Sequence, residues 1–126
     1  MGVAAVSAPA KAFVVGEYAV AHGGPAVIAA LDRRIHCRAQ CSRGRGRLTV
    51  RRPDRTYSGP LAAEQVSGVP AELRFAVAAA LVAVRCAGLE DADVQIDLES
   101  ELGDPDARKV GLGGSAAVTA AVIGAV

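Results

Sequence analysis

Residues 35–41 read Ile-His-Cys-Arg-Ala-Gln-Cys, a strict alternation of apolar and polar side chains. Successive side chains of a strand point to opposite faces, so this pattern demands a sheet with one buried and one wet face. Residues 47–51 repeat it, and so do residues 92–99, where Val94, Ile96 and Leu98 alternate with Gln95, Asp97 and Glu99. A Gly-Arg turn at 43–47 separates the first two runs and predicts an antiparallel hairpin between them. Residues 10–20 read as a strand running into a loop, and residues 56–61 as a short strand or a loop. Residues 70–89 fit a helix, with Pro70 at its first position, Glu72 against the positive end of the dipole and Gly88 as the stop. That segment is apolar nearly all round, so it is expected to be covered on both sides.

A second helix-like run, 115–126, has Ser115 placed to act as its N-cap. The expected fold class is therefore α+β: a mixed or antiparallel sheet with helices packed on one side. Aromatic residues make up 3% of a chain that is 52% hydrophobic, so the core must be small aliphatic side chains. With 126 residues there is enough chain for one domain. The last run ends at Val126 with no polar face and no C-cap. On that basis, residues 1–126 are expected to be the N-terminal part of a larger protein, incomplete at the C-terminus.

The net charge of +1 hides an asymmetry. Residues 33–55 hold nine arginines and one acid, Asp54, so a basic hairpin binding nucleic acid is an alternative of another class. Only Tyr57 lies near for stacking, and alternating strand residues commonly place charge in solvent; no nucleic-acid partner is expected. Cys37, Cys41 and Cys86 are an odd set without a secretory signal, and no run is long and apolar enough for a membrane span, so a cytoplasmic location is expected. Cys37 and Cys41 share one strand face and read as buried thiols, with His36 on the other face.

Residues 109–117, Lys-Val-Gly-Leu-Gly-Gly-Ser-Ala-Ala, put three glycines and a serine ahead of the last helix. Clustered glycines before a helix let backbone N–H groups approach a phosphate closely. A Walker loop is excluded, because no lysine follows the last glycine. A dinucleotide fingerprint matches formally at Gly111, Gly113 and Ala116, but Asp104-Pro105 break the required passage from strand to loop. A glycine turn that merely lets a helix pack closely on the sheet remains open from these residues alone.

Residues 8–20, Ala-Pro-Ala-Lys-Ala-Phe-Val-Val-Gly-Glu-Tyr-Ala-Val, and residues 109–121 together resemble the first and second motifs of the GHMP kinase superfamily. The resemblance implies an N-terminal ATP-binding domain and ATP-dependent phosphorylation of a small metabolite. It implies Lys11 as the catalytic cation, and Lys109, Gly111, Leu112, Gly113, Gly114, Ser115 and Ala116 at the ATP phosphates. Ser115 would also be a ligand to Mg²⁺, while Glu17 and Tyr18 would line the acceptor site or brace its loop. Gly16-Glu17-Tyr18 and the placing of Lys109 resemble the phosphomevalonate kinase branch, with mevalonate kinase or another superfamily member as the alternative. Two departures stand out: Ala10 where the family usually has glycine, and Gly114 where it usually has the first of two serines. The family's third motif and C-terminal domain are not in these residues, so the chain alone is not expected to turn over substrate efficiently.

Overall fold

The computed structural model describes residues 2–61, 66–102 and 114–126. Five strands form one sheet: β1 (Val3–Val15), β2 (Val27–Arg43), β3 (Arg47–Arg51), β4 (Thr56–Pro60) and β5 (Ala92–Ser100). Two helices, α1 (Arg74–Ala87) and α2 (Gly114–Ala125), complete it with two short 3₁₀ turns, Val20–His22 and Ala71–Leu73. The strand order is β1-β2-β5-β3-β4. All neighbours are antiparallel except β3 and β5, which run parallel. The expected α+β architecture, a mixed sheet with helices on one side, is what the chain forms.

The alternation in the sequence appears as burial. Ile35, Cys37 and Ala39 of β2, Leu48 and Val50 of β3, and Ala92, Val94, Ile96 and Leu98 of β5 all face one core with α1 and α2. Fully burying a valine, leucine or isoleucine stabilises by about 1.5–3 kcal/mol, so this aliphatic layer is the main source of cohesion. No buried side-chain polar atom among the described residues lacks a partner.

The predicted hairpin between residues 35–41 and 47–51 does not form. β5 lies between those strands, and β3 forms its hairpin with β4 instead. Asp93 at the start of β5 explains the separation. Its Oδ1 accepts the backbone N–H groups of Arg45 at 2.9 Å and Arg47 at 3.0 Å, holding the turn open around β5. β5 also brings its acids between the arginine-bearing strands: Arg51 Nε lies 2.8 Å from Asp97 Oδ1. The basic stretch is thus partly compensated by its neighbour in the sheet.

α1 ends as read, with Gly88 left-handed at φ 67° and Leu89 N–H returning to the Val84 carbonyl. Its start differs. Pro70 precedes a 3₁₀ turn and the α-helix begins at Arg74. The expectation of cover all round is also corrected, since Phe75 and Val82 are each 59% exposed on the face away from the sheet. α2 buries Ala117, Ala121, Val122 and Ala125 and lies close on the sheet: a Cβ at Gly124 would meet Val6 at 3.2 Å.

Beyond the sheet, β1 and β2 continue as a two-stranded ribbon. Pairing of β2 with β5 begins at Ile35, while β1 pairs β2 out to Val15 and Val27. Gly16 starts the turn at the ribbon tip with φ 89°, and a Cβ there would lie 2.3 Å from the Pro25 carbonyl oxygen. Gly16→Ala should therefore destabilise the chain by about 1–3 kcal/mol, read from the midpoint of urea unfolding.

Candidate functional site

Lys11 lies on the ribbon just past an irregularity. From Pro9 to Lys11 the β2 partner moves from Arg34 to Ala30, so two steps of β1 face four of β2. Such a bulge bends and twists the pair, re-aiming the side chains beyond it. Ala10, opposite the bulge, is fully buried, and no described non-glycine residue has positive φ. Alanine at this position therefore carries no left-handed strain. Lys11 and Phe13 share a face, and the Lys11 Nζ sits 4.2 Å from the Phe13 ring centroid. This cation–π contact holds the ammonium without neutralising it. Among the described residues Lys11 has no carboxylate partner.

Glu17 and Tyr18 occupy the exposed turn at the ribbon tip, where the Tyr18 ring is 83% exposed. Neither side chain makes a hydrogen bond to a described residue. The turn is braced by its backbone, with Val20 N–H donating to the Gly16 carbonyl and His22 Nδ1 donating to the Tyr18 carbonyl at 3.2 Å.

Gly114, Ser115 and Ala116 form the first turn of α2, with Ser115 and Ala116 exposed. Ser115 is the second residue of the helix and is not its N-cap, which corrects the expectation. Lys109, Gly111, Leu112 and Gly113 lie outside the described residues. Among the described residues, a Cβ at Gly114 would meet Leu102, at 3.5 Å, an ordinary contact.

That contact locates the helix start. Leu102 follows Glu101, Glu101 N–H donates to the Arg34 carbonyl at 3.0 Å, and Arg34 pairs with Pro9, two residues before Lys11. Residues about a hundred apart in sequence thus converge on one end of the sheet. The start of α2 presents N–H groups with no partner inside the helix, a place suited to an anion.

Sequence reasoning did not find the side chains that tie this end together. The Glu101 carboxylate accepts Arg34 N–H at Oε2 (2.8 Å) and the His36 ring Nε2 at Oε1 (3.0 Å). The Arg34 guanidinium crosses to β1, donating from Nε to Ser7 Oγ at 2.8 Å and from Nη2 to the Ser7 carbonyl at 3.0 Å. Nothing local marks these residues; the partners lie 27 and 67 positions apart.

The bonds from His36 and then from Arg34 N–H hold the Glu101 carboxyl below its ordinary value of 4.5. Burial, reinforced by the nearby charge of Asp97, pushes the Cys37 thiol up to about 11, which makes it an inert core thiol. The open face of the sheet carries a groove of about 540 Å³ among His36, Arg38, Arg51, Arg52, Asp97 and Glu99; it includes neither Lys11 nor the start of α2.

No family model matches the chain. A mevalonate kinase of Pyrococcus horikoshii is 32% identical over 124 residues, covering 95% of this chain and 37% of that protein. The fold is similar to the crystal structure of Methanococcus jannaschii mevalonate kinase, with a TM-score of 0.75 at 19% identity over 97% of this chain and 38% of that one. Streptococcus pneumoniae phosphomevalonate kinase, solved with phosphomevalonate and AMPPNP, gives a TM-score of 0.55 at 22% identity over 95% of this chain and 35% of that one. The chain spans 37% of the length of the curated relatives it matches. Sequence relatives and fold together support membership of the GHMP kinase superfamily. The relatives that carry the sequence likeness are mevalonate kinases, and the phosphomevalonate kinase shares the fold.

The lowered Glu101 pKa fixes the sign of a pH effect. A carboxylate that is easier to ionise when folded contributes stability above its unfolded pKa, and that contribution is lost as pH falls through the folded value. Acid titration below pH 4.5 should release the His36 ring, visible as a shift of its NMR signals, and Glu101→Gln should remove that step.

Proposed function

We propose that this chain supplies the ATP-binding part of a small-molecule kinase, with Lys11 and the start of α2 as the two halves of its phosphate site. The observation that carries this reading is the convergence of Lys11 and Gly114–Ser115 on one end of the sheet through Pro9, Arg34, Glu101 and Leu102. Phosphoryl transfer depends mainly on positioning and on charge stabilisation, which an ammonium and a set of backbone N–H groups supply. Lys109, Gly111, Leu112 and Gly113 would extend that cradle along the γ- and β-phosphates. Ser115 offers an exposed hydroxyl oxygen, the donor type that Mg²⁺ prefers, and the ion would neutralise phosphate charge when bound with ATP.

The acceptor we favour is mevalonate, since the curated relatives are mevalonate kinases and a mevalonate kinase has the closer fold of the two compared. Phosphomevalonate is the second reading, supported by Gly16-Glu17-Tyr18 in the first motif. Glu17 and Tyr18 would meet either acceptor from the ribbon tip. The reaction moves the γ-phosphoryl group of ATP to the acceptor oxygen and releases ADP.

The test is phosphoryl transfer by the full-length protein, with mevalonate, phosphomevalonate, homoserine and galactose assayed in parallel. Mevalonate should give the highest kcat/KM, and ATP consumption with none of the four would overturn the reading. Lys11→Ala should lower kcat by about 10²–10³-fold, the loss typical of one preorganised charge-stabilising group, with a Tm close to wild type. Gly114→Ser restores the family's usual hydroxyl at a position where the described residues leave room for a Cβ. It should tighten ATP binding by about 3–10-fold, the value of one added hydrogen bond, measured by calorimetry.

A further inference from the structure

We propose that Glu101 is a positioning residue that fixes the Lys11 ribbon against the start of α2, an inference that rests on the kinase reading above. The need for such a group follows from the sheet. β2 pairs with β5 only as far as Ile35, and from Arg34 to Val27 β1 is its one pairing strand among the described residues. A free two-stranded ribbon is marginally ordered in water, and this one also carries the bulge opposite Ala10. Lys11 stands on the far side of both features. Phosphoryl transfer is sensitive to displacements of about 1 Å in the groups that act on it.

Glu101 extends the ladder by one step with its own side chain. Its N–H donates to the Arg34 carbonyl, as in a regular antiparallel pair, while its Oε2 accepts the reciprocal Arg34 N–H at 2.8 Å. Its Oε1 takes His36 on the same strand at 3.0 Å. Arg34 passes the restraint to β1 through two bonds to Ser7, four residues before Lys11. The result is a belt across β1, β2 and the end of β5, tied at the last point before the ribbon leaves the sheet. The same residue precedes Leu102, the contact of Gly114. The carboxylate is therefore bonded to the root of the Lys11 ribbon, and the next residue of the chain, Leu102, lies beside the start of α2. The other exposed ion pair of this face, Arg51–Asp97, has the same short geometry but ties β3 to β5, away from both.

The experiment compares Glu101→Ala, Glu101→Gln and Asp97→Ala in the full-length protein. Glu101→Ala should lower kcat by about 10-fold while the KM for ATP moves less than about 3-fold, because the loss falls on alignment in the transition state. Glu101→Gln keeps an acceptor for Arg34 N–H and should recover kcat to within about 3-fold of wild type. Asp97→Ala should leave kcat unchanged at a similar loss in Tm. Hydrogen exchange gives a second readout: amides of residues 11–15 and 27–30 should exchange about 10-fold faster in Glu101→Ala and not in Asp97→Ala. Equal exchange in wild type and Glu101→Ala, or an equal kcat loss in Asp97→Ala, overturns the proposal. If the wild type transfers no phosphate, the kinase reading fails, and the exchange comparison still decides whether Glu101 holds the ribbon.

Discussion

The central position of β5 is the constraint on which the rest of this structure depends. One face of the strand is an unbroken row of Ala92, Val94, Ile96 and Leu98 in the core. The other is a row of Asp93, Gln95, Asp97 and Glu99, with Asp97 set between Arg38 of β2 and Arg51 of β3. A strand with only the first property could sit in several places in a sheet. The second property selects among them, because pairing β2 directly with β3 would leave the like charges of their open-face arginines Arg38, Arg47 and Arg51 on one surface with no acid between them. Inserting acids between them replaces that repulsion with Arg51–Asp97 and with the Asp93 bonds to the 45–47 turn. Exposed ion pairs contribute little individually, so their effect here is to choose the strand order, with the aliphatic face supplying the cohesion.

The division between what was legible in the residues and what was not follows the same line. Alternation at 35–41, 47–51 and 92–99 reports a local property, which side of the backbone is wet, and it located three strands and their buried faces. It carries no information about which strand lies beside which. The short Gly44-Arg45-Gly46 connection favoured pairing neighbours in sequence, and the acceptor that prevents it, Asp93, is 46 residues from Arg47. The site divides similarly. Lys11 and Ser115 could be singled out as candidates because each belongs to a contiguous motif. Ser7, Arg34, His36 and Glu101 belong to none, and their relation exists only after β1, β2 and β5 have assembled.

A core with few aromatic residues has its own consequence for the site. Alanine-rich α2 buries little area per residue, so it must lie close to the sheet to exclude water, and Gly124 against Val6 allows this. Close packing at that end fixes the direction of the helix axis, and with it the direction in which the N–H groups of the first turn point. Ala10 does the corresponding task on β1. It is fully buried where the strand pair bends, and a larger side chain would push the ribbon away from the core. Small residues on both elements thus set how closely α2 and β1 pack, and in the proposed site they would set the spacing of its two halves.

The two departures from the family's usual motifs then have different weights. Ala10 replaces a glycine, yet the backbone there avoids positive φ and the methyl group fills a fully buried position. Nothing in the local geometry asks for glycine, and the methyl adds contact where the bulge would otherwise leave the pair loose. Gly114 replaces a serine at a position where, among the described residues, a Cβ would meet Leu102 at an ordinary distance. No described residue imposes the glycine by packing, and the change removes a hydroxyl beside the helix start. If the start of α2 holds phosphate as proposed, the loss would fall on the ligand side, with the Pro9–Lys11 backbone undisturbed. Nucleotide affinity would then rest more heavily on the backbone N–H groups of α2 and on the charge of Lys11.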